Sequence, residues 1–170
     1  MTKIERSIVI DRPVDEVWEF VHDTTKDALW QTTLVESEKL TDGPMGVGTK
    51  VRERRRFLGL RIELAWEVTE FEPSSKSAIK AVSGPIPFAG GYRLDPLDTG
   101  TRFTVSGDLD AHGFFKLAEP VFARITRREL EANLGHLKDL LEADKGTGRD
   151  AAAAALTDER VQRPAQTDVP

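Results

Sequence analysis

The stretch Leu117–Leu141, LAEPVFARITRRELEANLGHLKDLL, sets the architecture. Leu117, Val121, Ile125, Leu130, Leu134, Leu137 and Leu141 recur at helical spacing and keep one apolar stripe. At helical rise the stretch spans about 37 Å. Pro120 either opens this helix or kinks the turn before it. A helix this long with one apolar stripe needs a broad apolar surface to lie on.

The preceding residues supply that surface as strands. Residues 2–10, TKIERSIVI, place Ile4, Ile8 and Ile10 on one parity, a first strand. DRPVDEVWEFVHD follows: Asp11 is positioned to cap, Pro13 suits a first helical turn, and Val14, Val17, Trp18 and Val21 fall at helical spacing. TTKDALWQTTL reads as a second short helix ending near Trp30. LVESEKLTDGPMGVGT is a strand entering a Gly/Pro turn. Val51–Leu58 and Ile62–Phe71 form a hairpin around Gly59, and Ser77–Ser83, Phe88–Leu94 and Phe103–Leu109 complete an antiparallel meander. Beyond Ala143 the stripe is lost, so the chain divides into a folded domain, 1–143, and a disordered C-terminal tail, 144–170.

The hairpin VRERRRFLG carries four arginines and a glutamate. Alternation puts Val51, Glu53, Arg55 and Phe57 on one face and Arg52, Arg54, Arg56 and Leu58 on the other. Pairing Phe57 with Ile62, and hence Val51 with Val68, aligns the apolar-flanked faces of both strands. Glu53 and Arg55 then share the apolar side, where charge is costly unless paired or wetted. They sit at the open rim or in a structural ion pair there, or one of them orients a polar group of a ligand. Arg52, Arg54 and Arg56 face outward beside Glu63 and Glu67 as a solvated charge ladder.

Composition narrows the function. With 39% hydrophobic and 31% charged residues the chain packs a core. A net charge of −5, with no aromatic stacking platform beside the arginines, argues against nucleic acid. The absence of cysteine removes thiolate nucleophiles and cysteine-ligated zinc. His22, His112 and His136 show no metal-ligand spacing, so no metal or cofactor is expected. His22 and His136 read as helix-boundary residues, and His112 as a turn histidine or a proton-transfer group at a cavity mouth. SGPIPFAGGY lacks the phosphate-binding glycine patterns and bends the sheet instead. Glu129 and Asn133 lie beside the helix stripe, turned either to solvent or to the sheet. MTKIERSIVID has no signal-peptide core and no stretch suits a membrane span, so a cytoplasmic protein without membrane insertion is expected.

The order strand, two short helices, six strands, long helix resembles the START/Bet v1-like (SRPBCC, helix-grip) superfamily, and within it the bacterial polyketide cyclase/dehydrase and lipid-transport branch. VIDRPVDEVWEFVHD with Trp30, GVGTKVRERRRFLG, WEVTEFEP, SGPIPFAGGYRLDPLDTGTRFTV and EPVFARITRRELEANLGHLKDLLE carry the resemblance, over roughly residues 3–143. It implies an α+β helix-grip fold: a curved antiparallel sheet of about seven strands, in β-α-α-β6-α order, wrapped around the C-terminal helix with an apolar cavity between. It implies binding or carriage of a small hydrophobic molecule, lipid or polyketide-like. The alternatives are a cyclase/dehydrase-type enzyme acting on a bound carbonyl chain, and a regulatory or protein-interaction module. The candidate ligand contacts are Trp30, Glu53, Arg55, Leu64, Trp66, Phe88, Tyr92, Phe103, Val105 and Phe122. Weak acid–base candidates are His112, Glu53 and Tyr92. The exposed arginines fit solvent or a second subunit equally, which leaves the oligomeric state open.

Overall fold

The computed structural model describes residues 2–57, 59–85, 87–109 and 124–143. The elements run β1 (Thr2–Ile10), α1 (Val14–Val21), α2 (Asp27–Trp30), β2 (Leu34–Lys39), β3 (Lys50–Phe57), β4 (Leu60–Glu72), β5 (Lys76–Ser83), β6 (Phe88–Leu97) and β7 (Gly100–Leu109). Residues 124–143 form a further helix, α3. The sheet order is β1-β7-β6-β5-β4-β3-β2, with every neighbouring pair antiparallel. Strands β2 to β7 are thus a meander, and β1 returns to pair with β7. This is the α+β helix-grip arrangement the sequence led us to expect. The expected tail, 144–170, lies outside the described residues.

Three local irregularities shape the sheet. Pairing shifts register between Leu34 and Glu36 on β2, and at Ala65/Trp66 and Val68/Glu70 on β4. Such bulges bend a strand and increase its twist, which curls a sheet around a helix. At Gly91 an added Cβ would lie 2.2 Å from the Ser77 carbonyl oxygen, so β5 and β6 approach there only because that position has no side chain.

The β3–β4 register differs from the expected one by two residues. Phe57 pairs with Leu60, Arg55 with Ile62 and Val51 with Trp66. The strands are separated by two positions only, with Gly59 at φ +79°, where we had expected a wider loop. A slip of two preserves parity, so the faces stay as assigned. The outer ladder keeps Arg54 beside Glu63 as expected and adds partners from β2. Arg52 bonds Glu38 and Arg54 bonds Glu36 and Glu63, whereas Glu67 reaches Lys50. Helix α1 starts at an N-cap Pro13 with no side-chain cap, in place of the expected Asp11. The Asp11 backbone N–H instead donates to Glu142 Oε1 of α3 at 2.8 Å.

The core follows the helical stripes. Val17, Trp18 and Val21 of α1 and Leu134, Leu137 and Leu141 of α3 pack with Ile10, Trp30, Leu94 and Phe103. Each such side chain stabilises the fold by about 1.5–3 kcal/mol on burial. The C-terminal half of α3 is also fastened by polar contacts. Arg12 Nε donates to the Leu141 carbonyl at 2.6 Å and Lys138 Nζ to the Val9 carbonyl at 2.7 Å. Each is a charge-assisted hydrogen bond from a cationic side chain to a backbone carbonyl. Earlier along α3, inward positions pass to Thr126, Glu129 and Asn133, and a space opens beneath them.

Candidate ligand-binding cavity

The space between α3, α2 and the concave face of the sheet is a cavity of about 360 Å³. Its walls are mainly apolar, including Ile62, Leu64, Trp66, Val68, Ile79 and Phe88. These positions follow from strand alternation, since each strand turns every second residue toward α3. Trp30, Glu53, Arg55, Leu64, Trp66, Phe88, Tyr92 and Val105, all singled out from the sequence, line this one cavity. Phe103 does not: it is fully buried in the core, with its ring 5.1 Å from that of Tyr92. Its register partner Leu94 is buried there too, so Phe103 packs behind the wall instead of forming it. His112 and Phe122 lie outside the described residues.

One face of the cavity is a built polar network. Glu53 is 4% exposed, and both of its carboxylate oxygens are taken. Oε1 accepts from the Trp66 indole at 2.9 Å and Oε2 from Arg55 Nε at 2.7 Å. Arg55 donates further to Gln31 Oε1 at 2.6 Å and Thr33 Oγ1 at 3.3 Å. Thr33 in turn donates to Glu129 Oε1 of α3 at 2.5 Å. A guanidinium has five N–H donors; three are used among the described residues, which leaves two without a partner there. Burial works against the Arg55 charge, but the Glu53 carboxylate outweighs it and raises the pKa further above its usual value.

Asp27 extends the network from the first turn of α2. Its Oδ1 accepts from Gln31 Nε2 at 3.3 Å and its Oδ2 from Ser37 at 3.4 Å. Burial, and then the nearby Glu53 charge, push its carboxyl up to about 7, with Arg55 pulling the other way. Tyr92 stands close by. Burial first, then Asp27 and Glu53, raise its phenol well above the ordinary value. The Tyr92 hydroxyl has no hydrogen-bond partner among the described residues. The Trp30 indole N–H is likewise buried without a partner among them.

His22 is not the boundary residue expected from its position. It closes α1 and joins the cavity wall, its ring tilted against Trp18 at 3.9 Å and edge-on to Phe71 at 5.2 Å. Its Nε2 is 2.8 Å from Ser77 Oγ, and burial lowers its pKa. His136 is exposed. Glu129 and Asn133 both turn inward; Asn133 Oδ1 accepts from the Thr32 backbone and hydroxyl at 3.0 and 2.9 Å. Among the described residues, no three histidine or carboxylate side chains converge as metal ligands, and no helix is long and apolar enough to cross a membrane.

Sequence reasoning missed Asp27, Gln31, Thr33, His22 and Ser77. Asp27 lies on the short helix α2, whose existence the sequence showed, so its face was open to reading. Ser77 pairs directly with Tyr92, so its parity was readable as well. Gln31 and Thr33 lie in the link from α2 to β2, where neither period applies.

Comparison with solved structures gives the same architecture. TTHA0849 from Thermus thermophilus superposes with a TM-score of 0.74 at 16% identity, covering 84% of this chain and 99% of that one. The ZhuI aromatase/cyclase from Streptomyces sp. R1128 gives 0.71 at 19% identity, covering 83% and 93%. A START superfamily protein from Mycobacterium smegmatis gives 0.70 at 13% identity, covering 83% and 97%. At these identities the likeness establishes the fold. No curated protein matches the chain. The sequence itself matches a family described as polyketide cyclase / dehydrase and lipid transport over residues 1–142. That match takes in every described residue of the sheet and nearly all of α3, and the chain belongs to this family.

Proposed function

We propose that the protein binds and carries a small hydrophobic molecule in the cavity, with Arg55 orienting the ligand's polar end. The observation that carries this reading is Arg55 itself: anchored by Glu53, Gln31 and Thr33, it keeps two N–H donors uncommitted among the described residues, in an otherwise mainly apolar space. A preorganised donor pair in a water-poor pocket favours a carbonyl or similar acceptor. In this reading the ligand-binding domain runs over residues 1–143 and the protein works in the cytoplasm. Titration with a hydrophobic ketone, followed by quenching of Trp30 and Trp66 fluorescence, tests it. Arg55→Leu should weaken a ketone about tenfold and leave the matching hydrocarbon nearly unaffected. Equal loss for both ligands, or none for either, rules out the orienting role.

One observation supports the enzymatic reading as an alternative. Asp27, with a pKa near 7, shares the cavity with Tyr92 and Arg55, the composition of an acid–base site on a carbonyl substrate. Glu53 suits that role less, since both of its oxygens are already engaged. Turnover of a poly-β-ketone that vanishes in Asp27→Asn while binding survives would favour this alternative over simple carriage.

A further inference from the structure

A second polar station lies in the same cavity, built on Ser77 and His22. The Trp18 carbonyl accepts from His22 Nδ1 at 2.9 Å, and a carbonyl oxygen can only accept, so the ring proton sits on Nδ1. Burial keeps the imidazole neutral by lowering its pKa. Nε2 is therefore an acceptor, and the Ser77 hydroxyl donates to it over 2.8 Å. This fixes the Ser77 rotor. Its proton is spent on His22, and its free lone pairs remain as acceptors on the cavity wall.

The surroundings leave room for a ligand group there. Tyr92 is the direct cross-strand partner of Ser77, so the two side chains share the concave face. Its ring lies 5.9 Å from His22, and its hydroxyl has no partner among the described residues. Along the same face, Gly90 and its register partner Gly107 present no side chain to the cavity. A Cβ at Gly90 would come 2.6 Å from the Ser106 carbonyl oxygen, so this position stays bare and the wall beside Tyr92 is recessed.

We propose that Ser77, held by His22, accepts a hydrogen bond from a hydroxyl at one end of the ligand, while Arg55 donates to a carbonyl at the other. The ligand class is thus a neutral hydroxy-carbonyl compound with an apolar body. This inference rests on the reading of the cavity as a hydrophobic-ligand site. It extends that reading, because Arg55 alone asks for an acceptor and Ser77 asks for a donor. Charge points the same way. The described lining holds the carboxyl groups of Asp27, Glu53 and Glu129 against the single guanidinium of Arg55, which disfavours an anionic ligand.

The test uses 6-propionyl-2-naphthol, its methyl ether and 2-ethylnaphthalene, titrated against the full-length protein by tryptophan quenching. The naphthol should bind about tenfold more tightly than the methyl ether, the difference one net hydrogen bond makes. In Ser77→Ala that ratio should collapse to about one. Equal affinities for naphthol and ether in the wild type overturn the Ser77 station while sparing the cavity reading. A preference that persists in Ser77→Ala assigns the hydroxyl to the Asp27 end and overturns it too. If none of the three compounds binds, both the station and the reading beneath it fall. Where Ser77→Ala does not fold, Ser77→Cys, whose sulfur is a weak acceptor, takes its place and should cut the ratio in the same way, an unchanged ratio overturning the station.

Discussion

Asp27 and Glu53 are both buried carboxyl groups in one network, yet their surroundings differ. Glu53 meets an indole N–H and a guanidinium at short range, whereas Asp27 receives only two long hydrogen bonds. For Asp27 the folded-state pKa of about 7 lies above the unfolded value near 3.8. The folded state therefore binds the extra proton, and stability falls as pH rises from about 4 through 7. Asp27→Asn should match the wild type near pH 4 and exceed it by a few kcal/mol at pH 8, as read by urea denaturation at both pH values. A wild-type advantage at pH 8 would contradict the assignment. Glu53→Leu should cost about 3–5 kcal/mol by stranding Arg55, and a paired Glu53→Leu/Arg55→Leu change should cost less than the sum of its parts. Additive losses in that double-mutant cycle would mean the two residues act independently.

At the scale of elements, parity was readable and register was not. Alternation put Glu53 and Arg55 on the concave face correctly, because a two-residue slip leaves parity unchanged. The slip itself came from the turn at Gly59, whose φ of +79° is a property of backbone conformation that hydrophobic pattern does not encode. The two glycines at hand separate these causes. Gly59→Ala has open space around its Cβ and meets only the left-handed backbone penalty, about 1 kcal/mol. Gly91→Ala drives a Cβ into the Ser77 carbonyl and should cost more, about 2–4 kcal/mol, while also loosening the Ser77 position. Chemical denaturation of both variants checks the order, and a Gly59→Ala loss larger than that of Gly91→Ala would contradict it.

Over the whole molecule, the long stripe of α3 and the run of alternating strands declared the helix-grip fold because burial obliges both periodic faces to meet. The cavity wall was legible for the same reason on β3, β4 and β6. The rest of the site was hidden where geometry is tertiary. Gln31 and Thr33 come from a link without periodicity, and His22 enters the wall because α1 lies against Phe71 and Ser77. Phe103 shows the opposite limit: it is fully buried in the core, against the rings of Tyr92 and Trp30, and does not line the cavity. What unites these parts is one claim, that the space beneath α3 holds a hydrophobic ligand. Native mass spectrometry of the protein recovered from its own host, beside a cavity-filling Leu64→Trp variant of matching circular dichroism, tests it most directly. The account predicts a one-to-one hydrophobic adduct on the wild type that is lost from Leu64→Trp. A wild type that emerges bare, or an adduct retained unchanged by the filled variant, would contradict it.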